Sequence, residues 1–562
     1  MSAKKIVIIG GVAAGPKAAA RARRLDPDAE ITIIERGRLI SYAGCGMPYY
    51  LSGEVHKFDS LFETTYGVIR NEEYFWREKG CRVLTRTEAQ KIDRDKKEVH
   101  VENLESGEKY VIPYDKLVLA TGAEPFAPPI EGLNLKGVYK LNHPDDAQKI
   151  KERLDAEEGG EAVIIGAGLI GLETADALMK LHMFCSVVEL QNQILPGMLD
   201  EDMAEILAKK LTDQGIEFYL GHKVLKLEGD EDGNVTAVVT DKGPIDAELV
   251  VVAVGVRPNV KLAREAGLAI GETGAIAVNE YLQTSDPDIY ALGDCVETTH
   301  LVSGKKVYIP MATTANRQGR VVGDNVTGGN TVFRGVLGTS VLHTAGFNIG
   351  RTGLGEKQAR DLGYKVVTAL YHGFDRTHYH PDHGMVLMKL ITEEGTGRVL
   401  GAQALGQGDT VKRIDVVATA ITLGATVNQL AEVDLGYAPP FSTPIDVTAH
   451  AANIVRNKVA GLAETITPRE LKEKMDRGDD MVILDVRTEP QFNMRRLKDD
   501  RVQLVVLGDL RERINDVPRD KEIVVICAMG TRSYEALRIL KGAGFKNVKY
   551  MEGGLQAWPY EL

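Results

Sequence analysis

Short apolar runs, glycine turns and stretches of helical periodicity follow one another along this chain in a repeating order. Lys5-Ile6-Val7-Ile8-Ile9 is an unbroken β-branched run of the kind buried on both faces of a parallel sheet. Gly10-Gly11-Val12-Ala13-Ala14-Gly15 follows, then the Ala-rich stretch Lys17–Leu25, which predicts a helix. A second apolar run, Ile31–Ile34, ends in Glu35 and Arg36. The order returns at 162–190. Ala162–Ile165 predicts a strand, Gly166-Ala167-Gly168-Leu169-Ile170-Gly171 a tight loop, Glu173–Leu181 a helix, and Ser186–Val188 a strand with Glu189 at its tip. Two more apolar runs end in glycine turns, Lys116–Gly122 (closing on Thr121-Gly122) and Leu249–Gly255. Beyond residue 331 the pattern changes to strands (Val366–Tyr371, Val386–Ile391, Val399–Gly406) and then apolar helices (Val411–Leu423, Val447–Val455). A charge-rich break at Arg456–Glu464 precedes a last unit, with strands at Val482–Arg487 and Ile523–Ile526 and a helix at Tyr534–Gly542.

The two glycine loops carry a physical logic. Small residues at Gly10, Gly11, Ala14 and Gly15 let the backbone approach a pyrophosphate, the following helix start favours its charge, and Glu35 suits a ribose hydroxyl. Gly166, Gly168, Leu169, Ile170 and Gly171 repeat this as a full G-x-G-x-x-G, with Glu189 in the place of Glu35. One such loop is weak evidence; two complete units point to a flavin and a nicotinamide in one chain. An acid at the tip of the second strand repels a 2′-phosphate, so NADH is expected over NADPH.

Composition narrows the reading. The 562 residues allow about three or four domains. A net charge of −12 argues against nucleic-acid binding. No apolar run reaches the roughly 20 residues of a membrane span, and no signal peptide is expected before the first strand, so the protein is expected to be cytoplasmic and to bind no membrane. No metal site is expected. The five cysteines (Cys45, Cys81, Cys185, Cys295, Cys527) are few and widely spaced, a thiol pattern and not a disulfide framework. Cys45 lies in Ser41-Tyr42-Ala43-Gly44-Cys45-Gly46-Met47-Pro48, just past the first dinucleotide unit, and has no neighbouring cysteine. As a redox thiol it would need its partner sulfur from a small thiol; the plainer alternative is a structural loop cysteine. Cys527 ends a strand and opens Cys527-Ala528-Met529-Gly530-Thr531-Arg532-Ser533 before a helix, where backbone N–H groups and the Arg532 cation favour a thiolate.

From Thr284-Ser285-Asp286-Pro287-Asp288-Ile289-Tyr290-Ala291-Leu292-Gly293-Asp294 onward, the chain closely resembles the flavoprotein disulfide reductases with two dinucleotide domains. With the Cys527 loop and the tail Tyr550–Trp558, it resembles over nearly its whole length the coenzyme A disulfide reductase–rhodanese fusions, some of which are NADH-dependent persulfide reductases. The resemblance implies an α/β protein: an FAD domain (1–149 and 271–330), an inserted NAD domain (150–270), an α+β dimerisation domain (331–455), a linker (456–465) and a rhodanese domain (466–562). It assigns Asp294 to the FAD ribityl chain and turns the helix Ala312–Asn325, with Ala312 and Asn316, toward the flavin. It makes Cys45 the redox thiol, held as a mixed disulfide with coenzyme A, and the partner subunit's Tyr437 and Tyr379 the proton donor and its helper in a homodimer with shared active sites. Persulfide, polysulfide or disulfide would be the substrate, and Cys527 would carry sulfane sulfur. Lys17, Arg21 and Arg24 would face the coenzyme's phosphates, with Ser41 and Gly44 beside the thiol. The sequence departs from the family where Gly44 replaces an Asn, where Tyr379-His380-Pro381-Asp382 replaces Tyr-Tyr-Pro-Gly, and where Ile445 replaces a Lys. The rival readings are an NADH peroxidase or oxidase working through a sulfenic acid, though its loop histidine is Ala13 here, and a redox sensor whose rhodanese is a binding module.

Overall fold

The computed structural model of the protein describes residues 3–126, 128–156 and 159–562. It divides into two compact units, Met1–Leu190 with His222–Val336, and Gln191–Gly221 with Leu337–Leu562.

The first unit is built on two parallel sheets. In one, the strands Ile289–Ala291, Lys116–Leu119, Lys5–Ile9, Glu30–Ile34 and Arg82–Leu84 lie side by side in that order. In the other, Phe184–Glu189, Glu161–Ile165, Leu249–Val252 and Val138–Lys140 are neighbours. The central strands are almost wholly buried, which explains their unbroken apolar sequence. The helix Ala14–Leu25 packs along the helix Ala312–Val326, and glycine makes this close approach possible. A Cβ on Gly319 would sit 2.8 Å from the Lys17 Cβ, and one on Gly323 2.6 Å from the Arg21 Cβ. The second nucleotide helix runs Leu169–Met179, four residues earlier than its periodicity predicts. Its first turn lies inside the glycine loop, where propensity alone reads a turn.

The second unit holds an antiparallel five-stranded sheet, Ser340–Thr344, Phe347–Gly353, Val399–Gly406, Met385–Glu393 and Val366–Phe374 in that order. Beneath it, buried Lys389 meets Asp200 at 3.2 Å, Asp202 at 2.8 Å and Glu356 at 2.9 Å. Those carboxylates outweigh the burial cost and hold its ammonium well above the ordinary lysine range. Removing the cation would leave three acids together, a loss of about 3–5 kcal/mol. The C-terminal part is a parallel sheet, Thr465–Ile466, Val548–Met551, Glu522–Ile526, Met481–Asp485 and Val502–Leu504. The helix Val447–Val459 continues four residues into the stretch expected as linker, because Asp446 caps its start and its apolar face stays buried through Val455.

Candidate active site

Both glycine loops have the geometry of a dinucleotide cradle. Gly10 and Gly166 adopt φ of +115° and +109°, a region that favours glycine. A Cβ on Gly15 would lie 2.0 Å from the Gly10 carbonyl oxygen, and one on Gly171 the same distance from that of Gly166. In each unit the terminal acid reaches back to the loop. The Glu35 carboxylate accepts from Gly11 N–H at 2.7 Å and from Gly37 N–H at 2.6 Å, and Glu189 accepts from Ala167 N–H at 2.9 Å. Around Gly168, Gly122 and Gly255 nothing lies within 4 Å of where a Cβ would stand, so a ligand can approach the backbone there.

Asp294 follows the strand Ile289–Ala291, and burial pushes its carboxyl above the usual range. Tyr308 donates to its backbone carbonyl at 3.0 Å. Gln318, fully buried in the Ala312–Val326 helix, accepts from Gly293 N–H at 2.7 Å while its Nε2 is left without a partner. An orphaned buried amide beside Gly293 and Asp294 is what a polar ligand there would satisfy. Ala312 and Asn316 are exposed on the same helix, and the Asn316 side chain donates to Ala312 O at 2.9 Å. Thr121 donates to Asn259 O at 2.7 Å, and Arg36 is exposed beside Glu88 at 3.8 Å. The residues fit an FAD.

Cys45 occupies a one-turn 3₁₀ segment, Gly44–Gly46, that leads into the short helix Met47–Leu51. Ser41, at φ +52°, anchors the approach, donating its N–H to Gly11 O at 2.8 Å and accepting from Arg70 at 3.0 Å. The Cys45 side chain is exposed, yet the surrounding protein desolvates its thiol and pushes it up. Glu173 and then Asp294 add to the rise. Glu173 is itself pushed up to about 7, by burial and by Asp176. Sequence reasoning missed it, although a carboxylate two residues after the last loop glycine, in the apolar helix Leu-Ile-Gly-Leu-Glu-Thr-Ala, was a visible anomaly. The three other cysteines outside the C-terminal domain are buried and inert, and every cysteine is free. Of the three first-helix cations that the resemblance turns toward coenzyme A, Arg21 pairs with Asp324 at 2.5 Å, while Lys17 and Arg24 are exposed.

In the second unit the two tyrosines singled out by sequence meet. Tyr379 and Tyr437 are hydrogen-bonded to each other and exposed, and that bond raises the Tyr437 phenol. Their segments are tied where Thr377 donates to Pro439 O at 3.4 Å. Beneath them buried Arg413 bridges Asp375 O at 2.5 Å and Asp446 at 2.8 Å. Ile445 and Phe441, nearby in sequence, are also exposed.

Cys527 lies in the C-terminal part of this unit, 1% exposed, and its Sγ accepts from Gly530 N–H at 3.1 Å. Gly530, at φ +96°, turns the chain into the helix Thr531–Gly542. Arg532 donates twice to the Gln491 Oε1, both at 3.0 Å, which fixes its guanidinium. Ser533 is fully buried with an unpartnered hydroxyl. Gln491 and Ser533 were not anticipated from sequence.

Residues 4–319 match the pyridine nucleotide-disulphide oxidoreductase family. The chain belongs to that family. Membership implies FAD and NAD(P)H. Residues 340–448 match the family's dimerisation domain and residues 467–560 a rhodanese-like domain. An NAD-dependent persulfide reductase from A. fulgidus shares 47% identity with a TM-score of 0.94, over 99% of this chain and all of that one. An NAD(P)H coenzyme A polysulfide/persulfide reductase of Pyrococcus horikoshii is 37% identical over 81% of this chain and 98% of its own length. An NADH oxidase of Methanocaldococcus jannaschii is also 37% identical, over 80% of this chain and 98% of its own. Among the described residues no helix is long and apolar enough to cross a membrane, and no cluster of side chains could hold a metal.

Proposed function

We propose that this protein uses NADH to reduce persulfides, polysulfides or coenzyme A disulfide through Cys45, and that Cys527 carries sulfane sulfur for it. The observation that carries the reading is the solitary, accessible Cys45 just beyond a complete dinucleotide unit, with every cysteine free. Bound FAD would supply the route by which the two electrons of NADH reach the sulfur on Cys45.

The chain's own part follows from its geometry. Glu35 and Glu189, each held against its glycine loop by a backbone N–H, would face a ribose; Glu189 disfavours the extra phosphate of NADPH. The Cys45 thiolate attacks a disulfide or persulfide bond, forming a mixed disulfide on Cys45 and expelling a thiolate or hydrosulfide. The expelled anion takes its proton from the Tyr437 phenol of the partner subunit, which the Tyr379 hydrogen bond orients. Two electrons originating from NADH then cleave the mixed disulfide, releasing its other half as a second thiolate and restoring the Cys45 thiolate. Between turnovers coenzyme A would occupy Cys45 as that mixed disulfide, with Lys17 and Arg24 as its remaining phosphate partners on the first helix. Gly44, open on its Cβ side, gives up the contact an Asn would make.

Intact mass and NADH consumption test this together. The expected results are a dithiothreitol-labile coenzyme A adduct on Cys45 and NADH oxidation that requires a persulfide or disulfide. NADH oxidation driven as well by oxygen alone, without sulfur substrate, would favour the oxidase reading that the Methanocaldococcus relative suggests.

A further inference from the structure

A buried charge pair joins the dimerisation sheet to the C-terminal domain inside the second unit. Lys458 lies in the last turn of the helix Val447–Val459, and Glu552 directly follows the strand Val548–Met551. They meet at 2.7 Å with Glu552 only 2% exposed. The strand Val366–Phe374 is the outer strand of its sheet, so backbone groups on its free side need partners. The pair supplies one of each kind. Lys458 Nζ donates to Thr368 O at 2.6 Å, and Leu370 N–H donates to the Glu552 carboxylate.

From Glu552 the chain runs straight into the sulfur cradle. Gly553 and Gly554 turn at φ +69° and +64°. A Cβ on Gly553 would stand 3.2 Å from Leu370, and one on Gly554 2.5 Å from the Ala528 backbone, so this turn is wedged between the sheet edge and the Cys527 loop. Leu555 N–H donates to Cys527 O at 2.9 Å and Gln556 N–H to Ala528 O at 3.0 Å. At the loop's other end, Tyr371, stacked on His450 at 4.7 Å, turns its phenol to the Thr531 hydroxyl.

We propose that Lys458 is a positioning residue for sulfur transfer at Cys527: by neutralising Glu552 it fixes the Gly553–Gly554 turn that closes the back of the cradle. The proposal rests on Cys527 being the sulfane-sulfur carrier. The charged and titratable groups facing Glu552 are Lys458 on its helix, Lys389 on the sheet and Tyr550 on its own strand. Lys389 is already shared among Asp200, Asp202 and Glu356, so Lys458 is the cation on which Glu552 depends. Burial pushes the Glu552 carboxyl up and Lys458 draws it back. Without Lys458 the carboxyl is tolerated while protonated; as pH rises it ionises unpaired, and the turn is driven off the cradle.

The test is thiosulfate-to-cyanide sulfur transfer by the full-length holoenzyme between about pH 5.5 and 8.5, spanning the range in which a raised carboxyl titrates. Lys458→Met is expected to lower kcat about tenfold at the alkaline end, with the deficit shrinking toward the acid end, while NADH-driven reduction of a preformed disulfide is unchanged. Lys458→Met/Glu552→Gln, which removes the lone charge, should return to within about threefold of wild type with a flat pH dependence. A wild-type kcat and profile in Lys458→Met, or a double variant no better than the single, overturns the proposal. Absence of Cys527-dependent transfer in the wild type would instead sink the carrier reading. The cradle is then read by Cys527 alkylation in a Cys45→Ser background. Faster, pH-dependent labelling in Lys458→Met supports the positioning role, and equal rates overturn it.

Discussion

Cys45 and Cys527 are both thiols in glycine-bent loops beside parallel strands, yet one is exposed near carboxylates and the other is buried against a backbone donor. Cys527 is buried, and its sulfur accepts a backbone N–H from Gly530 at the start of a helix, with Arg532 held nearby by Gln491. One domain builds that whole site. Cys45 is exposed, and its near neighbours are the carboxylates of Glu173 and Asp294, which oppose a thiolate. Within its own loop only a backbone hydrogen bond at Cys45 works the other way, and the thiol stays raised. In the function proposed above, the cofactor, the substrate and a second subunit would supply the positive field and the proton donor to a thiol so placed. Cys527 belongs to a finished local site, Cys45 to an assembly.

The strongest way to break this comparison is to remove each sulfur in turn. Cys45→Ser should bind FAD and accept hydride from NADH but lose NADH-driven persulfide and disulfide reduction by about 10³-fold or more, while sulfur transfer from thiosulfate persists. Cys527→Ser should show the mirror image, reducing a preformed persulfide normally and failing to transfer sulfur. If Cys527→Ser fails equally on the preformed persulfide, the two sites are one pathway and the contrast is wrong.

The assembly half is probed next by Tyr437→Phe. Loss of a proton donor to the expelled thiolate should cost about 10²-fold in kcat with KM little changed, and a leaving group of lower pKa should recover much of it. An undiminished kcat with poor leaving groups would remove Tyr437 from the chemistry. A smaller effect is expected at the nicotinamide site. Glu189→Ala should improve the NADPH:NADH ratio of kcat/KM about tenfold, equivalent to about 1.4 kcal/mol. A ratio that does not move would show that other residues set the preference.

How much of this was readable in sequence follows the same division. The two nucleotide loops could be placed residue by residue, because backbone sterics leave only small residues at Gly10, Gly15, Gly166 and Gly171. The Cys527 loop could too, since strand, cysteine, glycine and arginine are consecutive. What escaped were residues whose meaning depends on distant partners. Arg21 reads as a free cation on a helix face, and only the helix Ala312–Val326 brings Asp324 to it. Gln318 sits among other polar residues of its helix and carries no local signal, and Glu173, though an anomaly in an apolar helix, gives no sign of its partners. Arg456 and Lys458 read as a solvated break in the chain, whereas Lys458 is pinned on a buried glutamate nearly a hundred positions on.

The finest test of the contrast is Glu173→Gln. Glu173 titrates near pH 7, so across the working range it passes from neutral to charged beside a thiol that is itself raised. The two protons are therefore coupled, and alkylation of reduced Cys45 against pH should follow a curve broader than a single titration. Gln removes the charge without changing the shape. The thiol should then titrate lower, on a curve of normal width, with labelling near neutral pH up about threefold. The stability sign is independent. A carboxyl raised in the fold stabilises it fully below its unfolded value, near 4.5, and that contribution is lost as pH rises through about 7. Wild type should therefore lose about 1–3 kcal/mol between acid and mildly alkaline pH that Glu173→Gln does not lose. An unshifted alkylation curve would mean that bound cofactor or solvent screens Glu173 from Cys45. The electrostatic poverty of the Cys45 site would then be a property of the bare chain alone.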